Sequence, residues 1–355
     1  MIRFRKPLVL SLTGILTVVL SSFWWDEDCI KSGLDTSDEW SDETPLIEVL
    51  MVLGEEPAPS WLEDIDTVKV RIGHQLVYRG KATLTDGKDS KRISRHFVCT
   101  NCHNQQREDP NLSQPNPEDR LAYVEEHGLP FLQGTTFYGL VNRSSYFNDD
   151  YQKKYGRLAE EAKQDLAAAT QLCATECSSG RLLEAWELEA IMHYYWSLQL
   201  KMGDLQLNEK EWRKVRMLSA GEMSRHEVVA LLKSKYSPTS HAHFTDGPGD
   251  LEGGYPDVNP GRADQGEKIF RLSCQSCHSK QGASMLVLNS NLRTFKRLSK
   301  HFTRDTRLNG YKLVRHGTRP NFFFHRYMPL YPLERMSNQQ VEDLKAYIWA
   351  EANNK

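Results

Sequence analysis

Residues 271–281 read RLSCQSCHSKQ, and FVCTNCHNQ at 97–105 has the same skeleton. Each carries two cysteines three apart, Cys99 and Cys102 in the first and Cys274 and Cys277 in the second. A histidine follows directly, His103 and His278 respectively. Each motif stands near the start of a segment that closes on an amphipathic helix. In the later segment Ser337 and Gln340 form a capping box, in which a hydroxyl and an amide side chain satisfy the first free backbone groups. Val341, Leu344 and Ile348 then recur at three and four, one apolar helical face. Leu183, Trp186, Ala190, Tyr194 and Leu198 repeat that pattern earlier, and Tyr194-Tyr-Trp196 matches Tyr347-Ile-Trp349. Alternating apolar runs are scarce. The expected fold is mostly α, with two helical domains in tandem.

Cys-x-x-Cys-His is the attachment sequence of c-type haem. Thiols at that spacing each add to one vinyl group of the porphyrin as a thioether, and the adjacent histidine falls under the iron. With seven Cys and 12 His in 355 residues, a chance match is expected roughly 0.005 times per chain, so two are not accidental. Zinc takes four ligands, usually from two close pairs, whereas these motifs lie 175 residues apart. A redox dithiol has no need of the histidine twice. The motifs therefore predict two covalent haem c groups: Cys99, Cys102, Cys274 and Cys277 attach them, and His103 and His278 are the proximal ligands. The residues between the cysteines are expected to vary freely.

The chain has room for two domains. Its net charge of −2 gives no case for a nucleic-acid partner, but hides an asymmetry. Asp26 to Asp66 holds 14 acidic residues against Lys31 alone, which leaves 44 basic and 33 acidic residues elsewhere. Arg3, Arg5 and Lys6 precede an uncharged run from Pro7 to Trp25, the pattern of an export signal. Its 19 residues also reach membrane-span length, and Phe23-Trp24-Trp25 suits an outer interface. Residues 1–28 are thus a signal peptide or, as we favour, a retained anchor; Cys29 lacks the context of a lipid-attachment site. Either way the body is expected in the periplasm, where uncommitted thiols oxidise. Residues 29–67 read as an acidic solvated spacer, with Leu46–Leu53 as one apolar patch for which a short docking helix is the other reading. Domain 1 is expected over 68–207, a helical segment and a Gly/Pro/Asp-rich linker over 208–261, and domain 2 over 262–355. His241 and His243 read as a solvated linker pair.

The stretch GEKIFRLSCQSCH, the loop HRYMPLYPLERMS and the last helix together resemble class I cytochromes c over 262–355. In that family the methionine before proline is the distal ligand, a role the resemblance carries to Met328; Met336 and His325 are the alternatives. A thioether ligand favours ferrous iron and raises the potential. For the first haem, the Tyr-x-Trp register places Thr175 where the other domain has Met328, between Cys173 and Cys177 in QLCATECSSGR. Cys173, Cys177, His127, His193 and a Cys173–Cys177 disulfide all remain open. The two-domain layout, with Cys173 followed by Gly180-Arg181, resembles thiosulfate dehydrogenases and the haem subunit of sulfur-oxidising complexes. That resemblance implies a Cys173 ligand at the first haem and a small sulfur anion as substrate.

Two functions follow. One is single-electron transfer by a dihaem cytochrome c between a membrane complex and a soluble cytochrome or terminal oxidase. The other is oxidation of a sulfur anion at the first haem, with Lys91, Arg92, Arg95 and His96 attracting it; those four also read as a solvated or partner-docking basic face. A peroxidase needs an open iron site, which Met328 argues against at the second haem.

Overall fold

The computed structural model describes residues 40–216, 224–318 and 327–354. The expected export segment, Cys29 and His325 lie outside them. Among the described residues the structure is helical, with only isolated bridges between Pro45 and Lys201 and between Thr83 and Asp89, and no helix is long and apolar enough to cross a membrane. The helices begin with α1 (Leu46–Val52), α2 (Thr67–Arg79), α3 (Pro117–Glu126), α4 (Asp149–Tyr155) and α5 (Arg157–Glu161). They continue with α6 (Leu166–Leu172), α7 (Ala185–Trp196), α8 (Glu209–Arg216), α9 (Arg225–Lys233) and α10 (Ala263–Ile269). The last are α11 (Gln275–His278), α12 (Leu292–Thr303), α13 (Gly310–His316) and α14 (Asn338–Asn353).

Two helix crossings organise the molecule, α2 against α7 and α10 against α14. Both use a glycine at closest approach, since a side chain there would keep the backbones apart. A Cβ on Gly73 would strike the Ala190 carbonyl and lie 2.7 Å from Tyr194 Cβ. One on Gly266 would strike the Asp343 carbonyl and lie 2.7 Å from Tyr347 Cβ. Ala190 to Asp343 and Tyr194 to Tyr347 are the same offset of 153 residues that the Tyr-x-Trp wording implies.

Local chemistry sets the helix ends. Asp66 starts α2 by accepting from Val68 N at 2.8 Å, and Gly80 ends it at φ 68°, a left-handed value that glycine adopts freely. Ser337 and Gln340 form the expected capping box on α14, at 3.0 and 3.1 Å. Val341, Leu344 and Ile348 face inward as the periodicity predicts. In contrast α7 is buried on nearly every side, from Ala190 through Trp196; Leu183 and Leu198 fall outside its ends.

Each crossing has its own apolar core. Leu76, Val77, Ile93, Phe137, Ile191 and Trp196 belong to the first. Ile269, Phe270, Phe295, Phe302, Leu344 and Ile348 belong to the second. That second core also takes Leu121, Val124 and Phe131, so α3 and the strap after it cross over from the earlier part of the chain.

The solvated-spacer expectation is corrected from residue 40 onward. Leu46, Val49 and Leu50 of α1 are buried with Trp40 and Leu53 against Met202, Leu205, Val228 and Leu232. Burying each such side chain stabilises by about 1.5–3 kcal/mol, which outweighs the preference of the acidic stretch for water while its carboxylates stay on the outer side. Trp196 adds a tie by donating to the Ser60 carbonyl at 2.6 Å. The stretch 237–261 is likewise fastened. Ser144 N donates to Pro238 O at 2.8 Å, Leu333 N to His243 O at 2.9 Å, and Tyr255 N to Glu342 at 2.9 Å.

Candidate functional site

Cys99, Cys102, His103, Cys173 and Cys177 line one cavity. Much of its wall is apolar, including Leu76, Ile93, Phe137, Leu166 and Ile191, while Glu108, Arg143, Lys154 and Arg335 contribute charge. Cys99–Asn101 form one 3-10 turn, and His103 N closes back on Cys99 O at 3.1 Å. His103 stacks on Phe137 with ring centroids 4.8 Å apart. Its Nδ1 lies 2.6 Å from the Thr135 carbonyl oxygen. A carbonyl only accepts, so Nδ1 carries the proton and Nε2 keeps its lone pair for a metal. Burial holds the imidazole pKa below its ordinary value, although the Thr135 bond works against this; the ring is neutral.

The second attachment turn reproduces this locally. The π-helical turn Phe270–Cys274 runs straight from α10 into α11, which ends at His278. His278 Nδ1 lies 2.7 Å from the Leu286 carbonyl. In both turns a glycine packs on the carbonyl of the second cysteine. A Cβ on Gly134 would lie 2.6 Å from Cys102 O and 2.6 Å from His103 Cε1, and one on Gly282 would strike Cys277 O. Burial pushes the Cys99 thiol up to about 11 and Cys274 up to about 12. Thiols held neutral in this way are poor ligands for a bare ion, which binds thiolates. Among the described residues no group of three or more His, Cys, Asp and Glu could hold such an ion.

Three of the four residues between the cysteines make hydrogen bonds through their side chains. Asn101 Oδ1 accepts from Val98 N at 2.9 Å. Gln275 Nε2 donates to Ser290 Oγ at 2.8 Å, and the Ser276 hydroxyl to Ser273 O at 2.6 Å. More consequentially, the two turns touch: Cys277 Sγ lies 3.7 Å from the Asn101 carbonyl oxygen.

Residues 263–351 match the Cytochrome c family model. This segment is a class I cytochrome c domain; the match implies a covalently bound haem c there, a role in haem-based electron transfer, and redox proteins as partners. No curated protein and no solved structure matches the chain significantly. The rest of the chain falls outside the cytochrome c match, so its chemistry rests on the geometry alone.

That geometry fits a haem at the first cavity. Apolar side chains make up much of the wall, His103 presents a free nitrogen, and Gln133, buried and lining the cavity, has its Nε2 unpaired. Haem bound there would supply one-electron chemistry. On the distal question the structure narrows the candidates. Cys173 and Cys177 occupy a π-helical turn and are thiols, not a disulfide. They hydrogen-bond each other, which raises Cys173 and lowers Cys177, with the Tyr155 hydroxyl and Lys154 helping the latter. His127 stacks on Tyr123 outside the cavity, and His193 Nδ1 accepts from Asp66 N at 3.2 Å on the far side of α7.

Gly180-Arg181 is tied into the fold. Arg181 makes a two-pronged ion pair with buried Glu187, both arms at 2.7 Å, and donates to the Lys91 and Arg92 carbonyls at 2.8 and 3.2 Å. Lys91, Arg92, Arg95 and His96 do not line the cavity. His241, expected in a solvated linker, does line it beside Ser237; its partner in the sequence, His243, is exposed and bonded to Glu334.

Met328 sits in a loop clasped to α13. Its N donates to Thr318 Oγ1 at 2.7 Å, and its carbonyl accepts from Thr318 N at 2.8 Å. Met336 is core, 1% exposed. Beside Met328, Tyr327 donates to the Cys177 carbonyl at 2.7 Å, and Pro329 and Leu330 line the first cavity. Sequence reasoning missed Gly134, Thr135, Tyr327 and the buried Glu108 described below, since none carries a local signal.

Proposed function

We propose that the chain carries two haem c groups, at Cys99/Cys102/His103 and Cys274/Cys277/His278, in two helical domains, and passes single electrons between them on the periplasmic side of a membrane. The observation that supports this most is the 3.7 Å contact between the two attachment turns. Groups fixed to those turns are neighbours, the arrangement that electron transfer between them needs. Met328 is the proposed distal ligand of the second haem, and one thiol of the Cys173–Cys177 turn that of the first. A thiolate there would stabilise ferric iron, so electrons run downhill toward the methionine-ligated haem and on to a protein partner. Residues 1–28 are the proposed export signal or anchor.

A second reading is favoured by one observation, the pair of cavity thiols beside the first attachment turn. It makes the first haem the site of two-electron oxidation of a reduced sulfur anion such as thiosulfate, each haem taking one electron. Iron and haem content per chain tests the main reading: two is expected, and one ends it. Mixing ferric protein with thiosulfate separates the two: haem reduction supports the enzyme, and its absence leaves the carrier.

A further inference from the structure

One buried carboxylate, Glu108, is used by neither attachment turn directly, yet is wired to one of them. It is 0% exposed. Its Oε1 accepts from Thr136 N at 2.8 Å and its Oε2 from Asn104 Nδ2 at 2.7 Å. Arg335 Nη1 lies 2.8 Å from Oε1, and Arg120 Nη1 3.7 Å from Oε2. Burial alone would raise its pKa, but Arg335 and then Arg120 hold it well below the ordinary carboxylate range, so it is ionised. Asn104 follows His103, and the Thr136 amide belongs to the same peptide unit as the Thr135 carbonyl that accepts from His103 Nδ1.

We propose that Glu108 is a positioning residue for the first haem, acting on His103 through the single peptide unit between Thr135 and Thr136. The carboxylate draws on the amide hydrogen of that peptide and so makes its carbonyl a stronger acceptor. The stronger acceptor pulls the His103 Nδ1 proton and makes the imidazole a better donor to ferric iron. The potential of the first haem falls in consequence. Since Arg335 belongs to the loop between Met328 and α14, the second half of the chain supplies the countercharge that keeps Glu108 ionised in the core. His278 has no such backing: its acceptor is the Leu286 carbonyl, and among the described residues no carboxylate is bonded to the amide that follows.

This inference rests on the proposal that iron sits on His103. The experiment uses holoprotein of wild type, Glu108→Gln and the double variant Glu108→Gln/Arg335→Gln, with iron counted first and both potentials then titrated. Glu108→Gln is expected to raise the potential of the first haem by a tenfold change in its reduction equilibrium, about 59 mV for one electron, and to leave the second unmoved. The double variant removes the nearer guanidinium together with the carboxylate, so that of the two arginines only Arg120, the more distant at 3.7 Å, still faces residue 108. Its charges change in opposite senses, so direct field effects largely cancel, but the first potential still rises. In the ferrous state the nitrogen-15 resonance of His103 Nδ1 moves toward that of His278 in both variants. Two irons with no shift in potential or resonance overturn the inference alone. One iron overturns it together with the dihaem reading.

Discussion

The two Cys-x-x-Cys-His turns share a local geometry but are built with opposite economies. The later one draws most of its parts locally: α10, Cys274–His278, Gly282, Leu286 and α14 all lie within residues 263–353, and the strap after α3 ties on through Phe131 N to the Leu272 carbonyl at 2.9 Å. The earlier one is assembled from distance. Gly80 ends α2 nineteen positions before Cys99, Gly134 and Thr135 come from a strap beyond α3, the cavity thiols follow α6, and His241 comes from after α9. The comparison teaches why a family model finds only residues 263–351. The crossing is present in both, down to the glycine, but the rest of the first site is drawn from widely separated segments.

The largest way to break the pairing is to remove one member. Cys99→Ser/Cys102→Ser is expected to halve haem and iron per chain and to leave the methionine-ligated spectrum. Cys274→Ser/Cys277→Ser does the reverse. If the first variant retains full haem content, the earlier motif does not attach haem.

Next in size are the glycines. Ala at Gly73 or Gly266 forces a methyl into a facing carbonyl, and such overpacking costs about 1–3 kcal/mol or more. A calorimetric or denaturant midpoint should fall for both. Ala at Gly134 or Gly282 acts closer to the chemistry, since it displaces the carbonyl of Cys102 or Cys277. Each should depress haem attachment at its own turn only; a loss at both turns would mean that the turns are loaded as one unit.

A smaller and sharper comparison concerns ligands. Met328→Leu should lower the second potential without touching the first. For the first haem, Cys173→Ala and Cys177→Ala are compared by electron paramagnetic resonance of the ferric protein. The variant that loses the low-spin signal names the ligand. An unchanged signal in both excludes the turn altogether.

How much of this was legible follows the same division. The mostly α fold, the capping box at Ser337 and the inward face of α14 could be read locally, because helix caps and periodicity act within a few residues. The Cys-x-x-Cys-His motifs are contiguous, so the residues that the proposal assigns to haem can be named from the sequence. What could not be read are contacts between distant parts of the chain. Thr135 meets His103 across 32 residues, and Arg335 meets Glu108 across the junction of the two cores. The acidic composition around α1 masked three buried apolar residues, since charge counts do not say which side of a helix faces water. His241 in a Gly/Pro-rich stretch looked solvated for the same reason.

The smallest expected effect tests how firmly that stretch is fastened. His243 bonds Glu334 through its side chain, and its pKa lies above the ordinary histidine value because the Glu334 carboxylate accepts its proton and adds its charge. The folded state therefore binds the proton more tightly than the unfolded chain. The stabilisation is fully present below the unfolded value near 6.5 and is lost as pH rises through the higher folded value. Since the imidazole is 67% exposed, the pair contributes no more than about 0.5 kcal/mol. His243→Gln should flatten a small fall in stability on the alkaline side of pH 6.5 and leave both potentials alone. If it shifts the first potential instead, the 237–261 stretch is part of the first haem's environment through His243 as well as through His241, and the first site extends still further from its own turn than the second.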